Sequence, residues 1–201
     1  LTGPNCPFAG TVDNAYDDTV LLAEQLSERP VDSGDPSRPA TDIDLLNAIS
    51  LSLYSTDNWP LLASALKSIR QGDGEQIKFL SDFALERDSD GHYKPGDGAQ
   101  LAINCLDMPL PEVLDRTALL AEAEEYEEIS PLFGGSFAFY DVGCALFPIK
   151  TEFRPQAITA PDAPPMVVIG TTGDPATIYE WSQAMAGQLD DAVLLTWVGE
   201  G

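Results

Sequence analysis

Residues 166–197 restrict the fold most, because they predict a strand, a helix and a second strand in direct succession. The runs MVVI at 166–169 and VLLTW at 193–197 are mainly apolar, as expected of parallel strands that are covered on both faces. Residues 175–188 between them predict a helix. A parallel pair alone would leave its edges and faces open. We therefore expect this β-α-β unit to be part of a larger α/β protein.

Residues 1–165 are of a different kind, because apolar residues recur in them at the spacing of amphipathic helices. Polar capping residues precede the second and third of these segments. A short apolar run at 101–105 predicts a strand, and residues 151–165, with four prolines, predict a connector. The predicted helices cover residues 13–26, 43–54, 60–71, 75–85 and 111–130.

The chain is strongly acidic: 10 Lys and Arg against 33 Asp and Glu give a formal net charge of −23, with a pI near 4.1. Such a field repels nucleic acid and anionic membrane surfaces, so the charge argues against both as partners. Solubility is the simpler role of this charge, and acidic surfaces are common on exported proteins. No apolar run approaches the ~20 residues that a membrane span needs.

Three cysteines are an odd number in a chain that begins at Leu1 without Met. We expect the natural N-terminus to lie upstream, so that one cysteine has lost its partner while the other two form an internal pair. A bridge between Cys105 and Cys144 would close a loop of about 40 residues, worth roughly 4 kcal/mol in the chain-entropy model. Three reduced, buried thiols are the alternative, and the cysteine count leaves both open.

Asp174 is the candidate for catalysis, because it follows the first strand of the β-α-β unit in the turn Gly-Asp-Pro. In α/β-hydrolases the catalytic triad runs Ser, then Asp or Glu, then His, on loops at the carboxyl ends of strands. An acid at this position would orient an imidazole on the loop after the next strand, which residues 199–201 would begin. The simpler alternative is that Asp174 caps the turn or the helix that starts at Pro175.

Residues 166–201 resemble the C-terminal segment of the tripeptidyl aminopeptidase-like serine peptidases of actinobacteria. These are exported α/β-hydrolases related to proline iminopeptidases. In that family an apolar strand, a turn with Asp-Pro-x-Thr-Pro, a helix, a strand and Gly-x-Gly-His follow one another. Asp174 falls on the triad acid of this pattern, and the family's His would follow Gly201 directly. Ile178 stands where the family usually has Pro.

Segments further upstream resemble other elements of the same family. AINCLD around Cys105 and CALFP from Cys144 are two of them, and the resemblance implies that their cysteines are bridged. NCPF around Cys6 resembles a third, in which the cysteine pairs with one a few residues earlier. The resemblance covers nearly the whole chain, although its first hundred residues are too variable in the family to add support.

The resemblance implies a fragment of an α/β-hydrolase: a mainly helical cap followed by a C-terminal strand-helix-strand unit. Residues 1–100 would form the helical cap, or lid, residues 101–165 the return to the core, and residues 166–201 the β-α-β unit. The whole protein would be a serine peptidase, secreted or associated with the cell envelope, that releases short N-terminal peptides through an acyl-enzyme. This chain would supply Asp174 and the lid, and would be inactive alone. A peptide is the expected substrate, and no cofactor or metal is expected.

Other candidates have simpler structural explanations. Ser136 lies in GGSFA, which has nearly the spacing of a nucleophile elbow but lacks the buried strand that an elbow needs before it. His92, the one histidine, lies in a hydrophilic loop and precedes Asp174, against the expected order. Five glutamates within 122–128 predict a solvated helix face, or else an anchor for the amino terminus of a peptide. The tryptophans are expected in the core: Trp59, Trp181 and Trp197.

The rival class is a non-catalytic, acidic, exported binding module that kept a hydrolase-like tail. An upstream Gly-x-Ser-x-Gly and a His codon directly after Gly201 would favour the enzyme, whereas a stop codon there would favour the module. In either case the two strands need cover. We expect it from the cap helices or from a second copy in a homodimer.

Overall fold

The computed structural model describes residues 6–8, 10–94, 96–107, 114–139, 142–149 and 151–200. The chain divides into two compact units. Residues 1–49 and 61–155 form the first unit, and residues 50–60 and 156–201 form the second. The predicted division into a cap (1–100), a return segment (101–165) and a core unit (166–201) refers to their roles in the enzyme, and it stays a prediction.

The N-terminal half folds into helices where the apolar spacing predicts them. A 3₁₀ turn at Thr56–Asn58, capped by Ser55, separates the second helix from the third. Each of these helices contributes a buried apolar side chain: Leu26, Leu45, Ile69 and Ile77. In chain order the helices are α1 (Val12–Glu28), α2 (Asp42–Leu53), α3 (Trp59–Ile69) and α4 (Glu75–Ala84).

Asp44 ties the start of α2 to α4. One carboxylate oxygen accepts hydrogen bonds from the backbone N–H and the hydroxyl of Thr41, at 3.0 and 3.1 Å. Lys78 Nζ lies 3.0 and 2.9 Å from the two oxygens, and Asp44 is buried. Burial raises the pKa of Asp44, but the hydrogen bonds from Lys78 and Thr41 outweigh it and hold the pKa below its ordinary value of 3.8.

Residues 101–105 lie in α5 (Gly96–Asp107), so the strand predicted there is wrong. A short apolar run does not distinguish a strand from a helix. The side chains of Ala102, Cys105 and Leu106 are buried or partly buried, whereas Leu101 and Ile103 are exposed. That spacing of three and four residues is helical, and the residues from Gly96 onward extend the helix to 12 residues.

The acidic segment forms α6 (Arg116–Ile129). The helix begins after Asp115, whose carboxylate accepts the backbone N–H groups of Thr117 and Ala118 at 2.8 and 3.4 Å. The start that the sequence predicts at Pro111 lies outside the described residues. Two four-residue helices follow, α7 (Gly134–Phe137) and α8 (Val142–Ala145).

The second unit contains the predicted parallel pair of strands. β1 (Met166–Gly173) pairs with β2 (Ala192–Glu200) in parallel register, from Met166 opposite Ala192 onward. Both strands are longer than their apolar runs, and Glu200 belongs to β2 rather than to a loop. The helix between them, α9 (Tyr179–Gln188), begins four residues later than predicted from Pro175.

The two faces of this sheet differ. α9 packs on one face so closely that a Cβ added to Gly170 would lie 2.6 Å from Ser182 Cβ. The other face carries large apolar side chains that are more than half exposed in the described chain, which is unusual for a soluble surface. They are Val167, Ile169, Val193, Leu195 and Trp197. The cover expected for this face, from cap helices or a second copy, stays a prediction.

Replacing Asp44 by Asn should destabilise the first unit by about 3 kcal/mol, because it leaves the Lys78 ammonium without its charge partner. Urea unfolding followed by far-ultraviolet circular dichroism measures this loss. Because the pKa of Asp44 is lowered on folding, its contribution is present above pH 3.8 and is lost as the pH falls through the native pKa.

Two further variants provide the controls for Asp44. Lys78→Met should restore part of the stability of Asp44→Asn, because it removes the unpaired charge. Asp42→Asn, in the first turn of the same helix, should cost less than about 1 kcal/mol. Equal losses for Asp42→Asn and Asp44→Asn would contradict the assigned role of the ion pair.

Gly170→Ala should destabilise the second unit by about 1–3 kcal/mol, because the new methyl group collides with α9. Gly187→Ala in α9 is the matched control: a Cβ there meets nothing within 4 Å. We expect it to stabilise the helix by about 0.5–1 kcal/mol. All three tryptophans of the chain lie within this unit, so tryptophan emission reports its unfolding. Similar effects of the two substitutions would refute the close packing.

Candidate active site

Asp174 lies directly after β1, at the carboxyl end of the strand. β2 runs parallel to β1, so its carboxyl end lies at the same edge of the sheet, and Gly173 is the register partner of Glu200. In open α/β sheets this edge is where functional groups gather. Asp174 therefore lies at the edge of the sheet where β2 also ends.

Local hydrogen bonds hold the carboxylate of Asp174. Oδ1 accepts the backbone N–H groups of Ala176 and Thr177, both at 2.8 Å. Oδ2 accepts the hydroxyl of Thr177 at 2.6 Å. These bonds close a turn over residues 174–177, and Ile178 precedes α9 in an extended conformation. The side chain thus closes a turn over residues 174–177, and α9 begins only after Ile178, whose φ of −55° and ψ of 143° are not helical.

The same contacts set the charge of Asp174. The hydroxyl of Thr177 contributes most, followed by the N–H groups of Thr177 and Ala176, and together they hold the pKa of the carboxyl below its ordinary value of 3.8. Asp174 is partly exposed. It is therefore an ionised acceptor at neutral pH, as an acid that stabilises an imidazolium must be.

The surrounding edge is ordered by further hydrogen bonds between the two strands and α9. The Thr172 hydroxyl accepts the N–H of Gly199 at 3.2 Å. The hydroxyls of Tyr179 on α9 and Thr196 on β2 lie 2.6 Å apart. The end of β1, the end of β2 and the start of α9 are therefore joined around Asp174.

Ser136 and His92 lie in the first unit, whereas Asp174 lies in the second. Ser136 is in α7, and its hydroxyl donates to the carbonyl of Phe133 at 2.7 Å. Among the described residues before it there is a helix, α6, and no strand, so the elbow context is missing. A Cβ on Gly134 would lie 1.9 Å from the carbonyl oxygen of Tyr126, so close packing on α6 accounts for this glycine.

The remaining polar and aromatic candidates lie on the surface. The His92 side chain is 80% exposed and its Nδ1 lies 3.6 Å from Asp88. The glutamates of α6 are exposed, and Glu122 accepts the Tyr126 hydroxyl at 2.6 Å. Trp181 and Trp197 are 60% and 64% exposed, so the expectation that they are core residues is wrong. The Nε1 of Trp59, also exposed, donates to the carbonyl of Ser52 at 3.1 Å.

The part of the chain that the structure describes holds no group of three His, Cys, Asp or Glu side chains arranged for a metal ion. Within the same residues, no helix has the length and apolar character to cross a bilayer. A groove of about 630 Å³ lies in the first unit between α1 and the end of α3, with Asp18, Leu22, Arg29 and Arg70 in its lining. It contains none of the predicted site residues.

Cys105 on α5 and Cys144 on α8 are joined in the structure, with their sulfur atoms 2.03 Å apart and the residues 39 positions apart in sequence. Both residues are buried, and Cys6 is free. A bond that closes a loop of this length is worth about 4 kcal/mol in the chain-entropy model. It attaches the short helix α8, which has little stability of its own, to the longer α5.

Comparison with known proteins finds a matching family and several similar proteins. Residues 130–201 match the family described as TAP-like protein. Serine protease Hip1 of Mycobacterium tuberculosis is 34% identical over 169 residues, covering 83% of this chain and 32% of that protein. Carboxylesterase B of the same species is 32% identical over 202 residues, covering 98% of this chain and 38% of that protein. A putative hydrolase of Mycobacterium bovis matches to the same extent.

These matches and the strand-helix-strand unit define the class: the α/β-hydrolases, here of a serine peptidase-like kind. Within that class, residues 130–201 match the TAP-like family, which confirms the resemblance seen in the sequence. The mainly helical first part and the small sheet agree with a portion of such a fold. The chain spans 32–38% of the length of the relatives it matches.

Thr177 is the residue that sequence reasoning passed over. Its hydroxyl and its backbone N–H both bind Asp174. The signal was present as the spacing Asp-Pro-x-Thr, since Asp and Thr three positions apart commonly close such turns through side chain–backbone bonds.

Alkylation of the unfolded, unreduced chain should label one cysteine, Cys6, and alkylation after reduction should label all three. Peptide mapping by mass spectrometry identifies the labelled positions. Under oxidising conditions, replacing both Cys105 and Cys144 by Ser should lower the stability of the first unit by about 4 kcal/mol. Labelling of all three cysteines before reduction would exclude the bridge.

Proposed function

We propose that the chain is part of an exported serine peptidase that releases short N-terminal peptides through an acyl-enzyme, in the manner of a tripeptidyl aminopeptidase. Asp174 is its triad acid. One observation carries this proposal: an ionised, fixed carboxylate directly after a strand, at the edge where the parallel neighbour also ends. The match of residues 130–201 to the TAP-like family and the similarity of the chain to a serine protease and a carboxylesterase support it.

The chemistry divides the work between three groups. A serine attacks the peptide carbonyl, and a histidine takes its proton and then gives it to the leaving amine. Asp174 holds the imidazole in the required tautomer and stabilises its cation. The serine lies on an elbow before Leu1 and the histidine follows Gly201, so residues 1–201 alone are inactive.

The lid, residues 1–100, limits the length of the peptide that reaches the site. The net charge of −23 favours a substrate with a positive amino terminus over an anionic one. The Cys105–Cys144 bond and the acidic surface fit a protein of the cell envelope or the medium.

In the full-length protein, Asp174→Asn should lower kcat on a tripeptide p-nitroanilide by roughly 10⁴-fold, as expected when an imidazole loses its orienting carboxylate. The Asn side-chain oxygen can still accept the N–H groups of Ala176 and Thr177, so the turn persists. Asp162→Asn, an exposed aspartate of the same unit, is the matched control and should leave kcat unchanged. Ser136→Ala should do the same.

Normal turnover by Asp174→Asn would overturn the assignment of the triad acid. Turnover by residues 1–201 alone would contradict the proposal that the catalytic serine and histidine lie outside these residues. Parallel assays on a p-nitrophenyl ester and on the tripeptide anilide separate an esterase from a peptidase, because the triad serves both. Failure of the full-length protein on both substrates would favour the binding module.

A further inference from the structure

The carboxylate of Asp174 has about four acceptor sites, two on each oxygen. The N–H groups of Ala176 and Thr177 occupy both sites of Oδ1. The hydroxyl of Thr177 occupies one site of Oδ2. A further donor is therefore directed to Oδ2, the oxygen that Thr177 already binds.

Thr177 holds both oxygens of the carboxylate at once. Its backbone N–H fixes Oδ1 at 2.8 Å and its hydroxyl fixes Oδ2 at 2.6 Å. The plane of the carboxylate cannot rotate without breaking one of these bonds. The β-branched side chain of Thr restricts its own χ1 angle, so the hydroxyl itself is held in place.

The hydroxyl also acts on the charge. A hydrogen bond to an ionised group is stronger than one to a neutral group. The hydroxyl of Thr177 is the largest of the contacts that lower the pKa of Asp174. Without it, the carboxylate would be held less firmly.

We infer that Thr177 is a positioning residue: its hydroxyl fixes Oδ2 of Asp174 as the oxygen that accepts the imidazole N–H. This inference rests on the proposed function, since it names how the triad acid is aimed. Thr177 acts through Asp174 and touches neither substrate nor the reacting atoms.

The first test needs no activity. In the 201-residue chain, the pKa of the Asp174 carboxyl is measured by ¹³C nuclear magnetic resonance in the unmodified protein, in Thr177→Val and in Thr177→Ser. Thr177→Val should raise this pKa towards 3.8, the ordinary value, and Thr177→Ser should keep it low. An unchanged pKa in Thr177→Val would overturn the inference whatever the enzyme does.

The second test uses the full-length protein and a tripeptide p-nitroanilide. Thr177→Val should lower kcat roughly ten-fold with KM unchanged, the effect of one lost charged hydrogen bond. Thr177→Ser should recover most of that loss. Thr159→Val, an exposed threonine of the same unit, controls for the loss of a hydroxyl.

The outcomes separate the two proposals. If Asp174→Asn abolishes turnover but Thr177→Val retains the full kcat, the positioning role is wrong and the triad acid stands. If Asp174→Asn is active, both are wrong. A fall in kcat for Thr177→Val that Thr177→Ser does not recover would also refute the role of the hydroxyl, because a purely steric effect of Val explains it.

Discussion

The site depends on how one carboxylate is held. A turn of four residues, closed by Asp174 on its own following backbone, fixes a negative charge at the end of β1. Charge-assisted hydrogen bonds of this kind are local, so they form whenever the turn forms. The parallel neighbour β2 ends at the same edge. Local chemistry supplies the ionised, oriented acid, and sheet topology supplies the place where a partner can meet it.

Other contacts in the second unit hold β1, β2 and α9 together near that edge of the sheet. Gly170 lets α9 approach β1, and the Tyr179–Thr196 and Thr172–Gly199 contacts join the three elements. The first unit has its own stabilisation, which includes the Asp44–Lys78 pair and the Cys105–Cys144 bond. The unit that carries Asp174 instead leaves one apolar sheet face exposed. Burial of that face would add hydrophobic stabilisation to the unit that holds the acid.

Apolar runs in the sequence were enough to predict both parallel strands, and apolar residues at helical spacing were enough to predict α1 to α4. The apolar pattern failed at α5, where the short, mainly apolar run at 101–105 fits a strand and a helix equally well and only packing decides. It also placed the start of α9 too early, because residues 174–177 form a separate turn and the backbone of Ile178, with φ −55° and ψ 143°, is not helical. The exposure of Trp181 and Trp197 follows from the open sheet and the outer side of α9, which composition does not reveal.

The central claim is that Asp174 orients an imidazole. The most direct measurement is a crystal structure of the full-length protein after reaction with a serine-directed phosphonate. We expect a histidine ring nitrogen within hydrogen-bond distance of Asp174 Oδ2, about 2.7–3.2 Å, with the Thr177 hydroxyl still bound to the same oxygen. A phosphonylated serine whose histidine is held by a different carboxylate, with Asp174 facing solvent, would contradict the account.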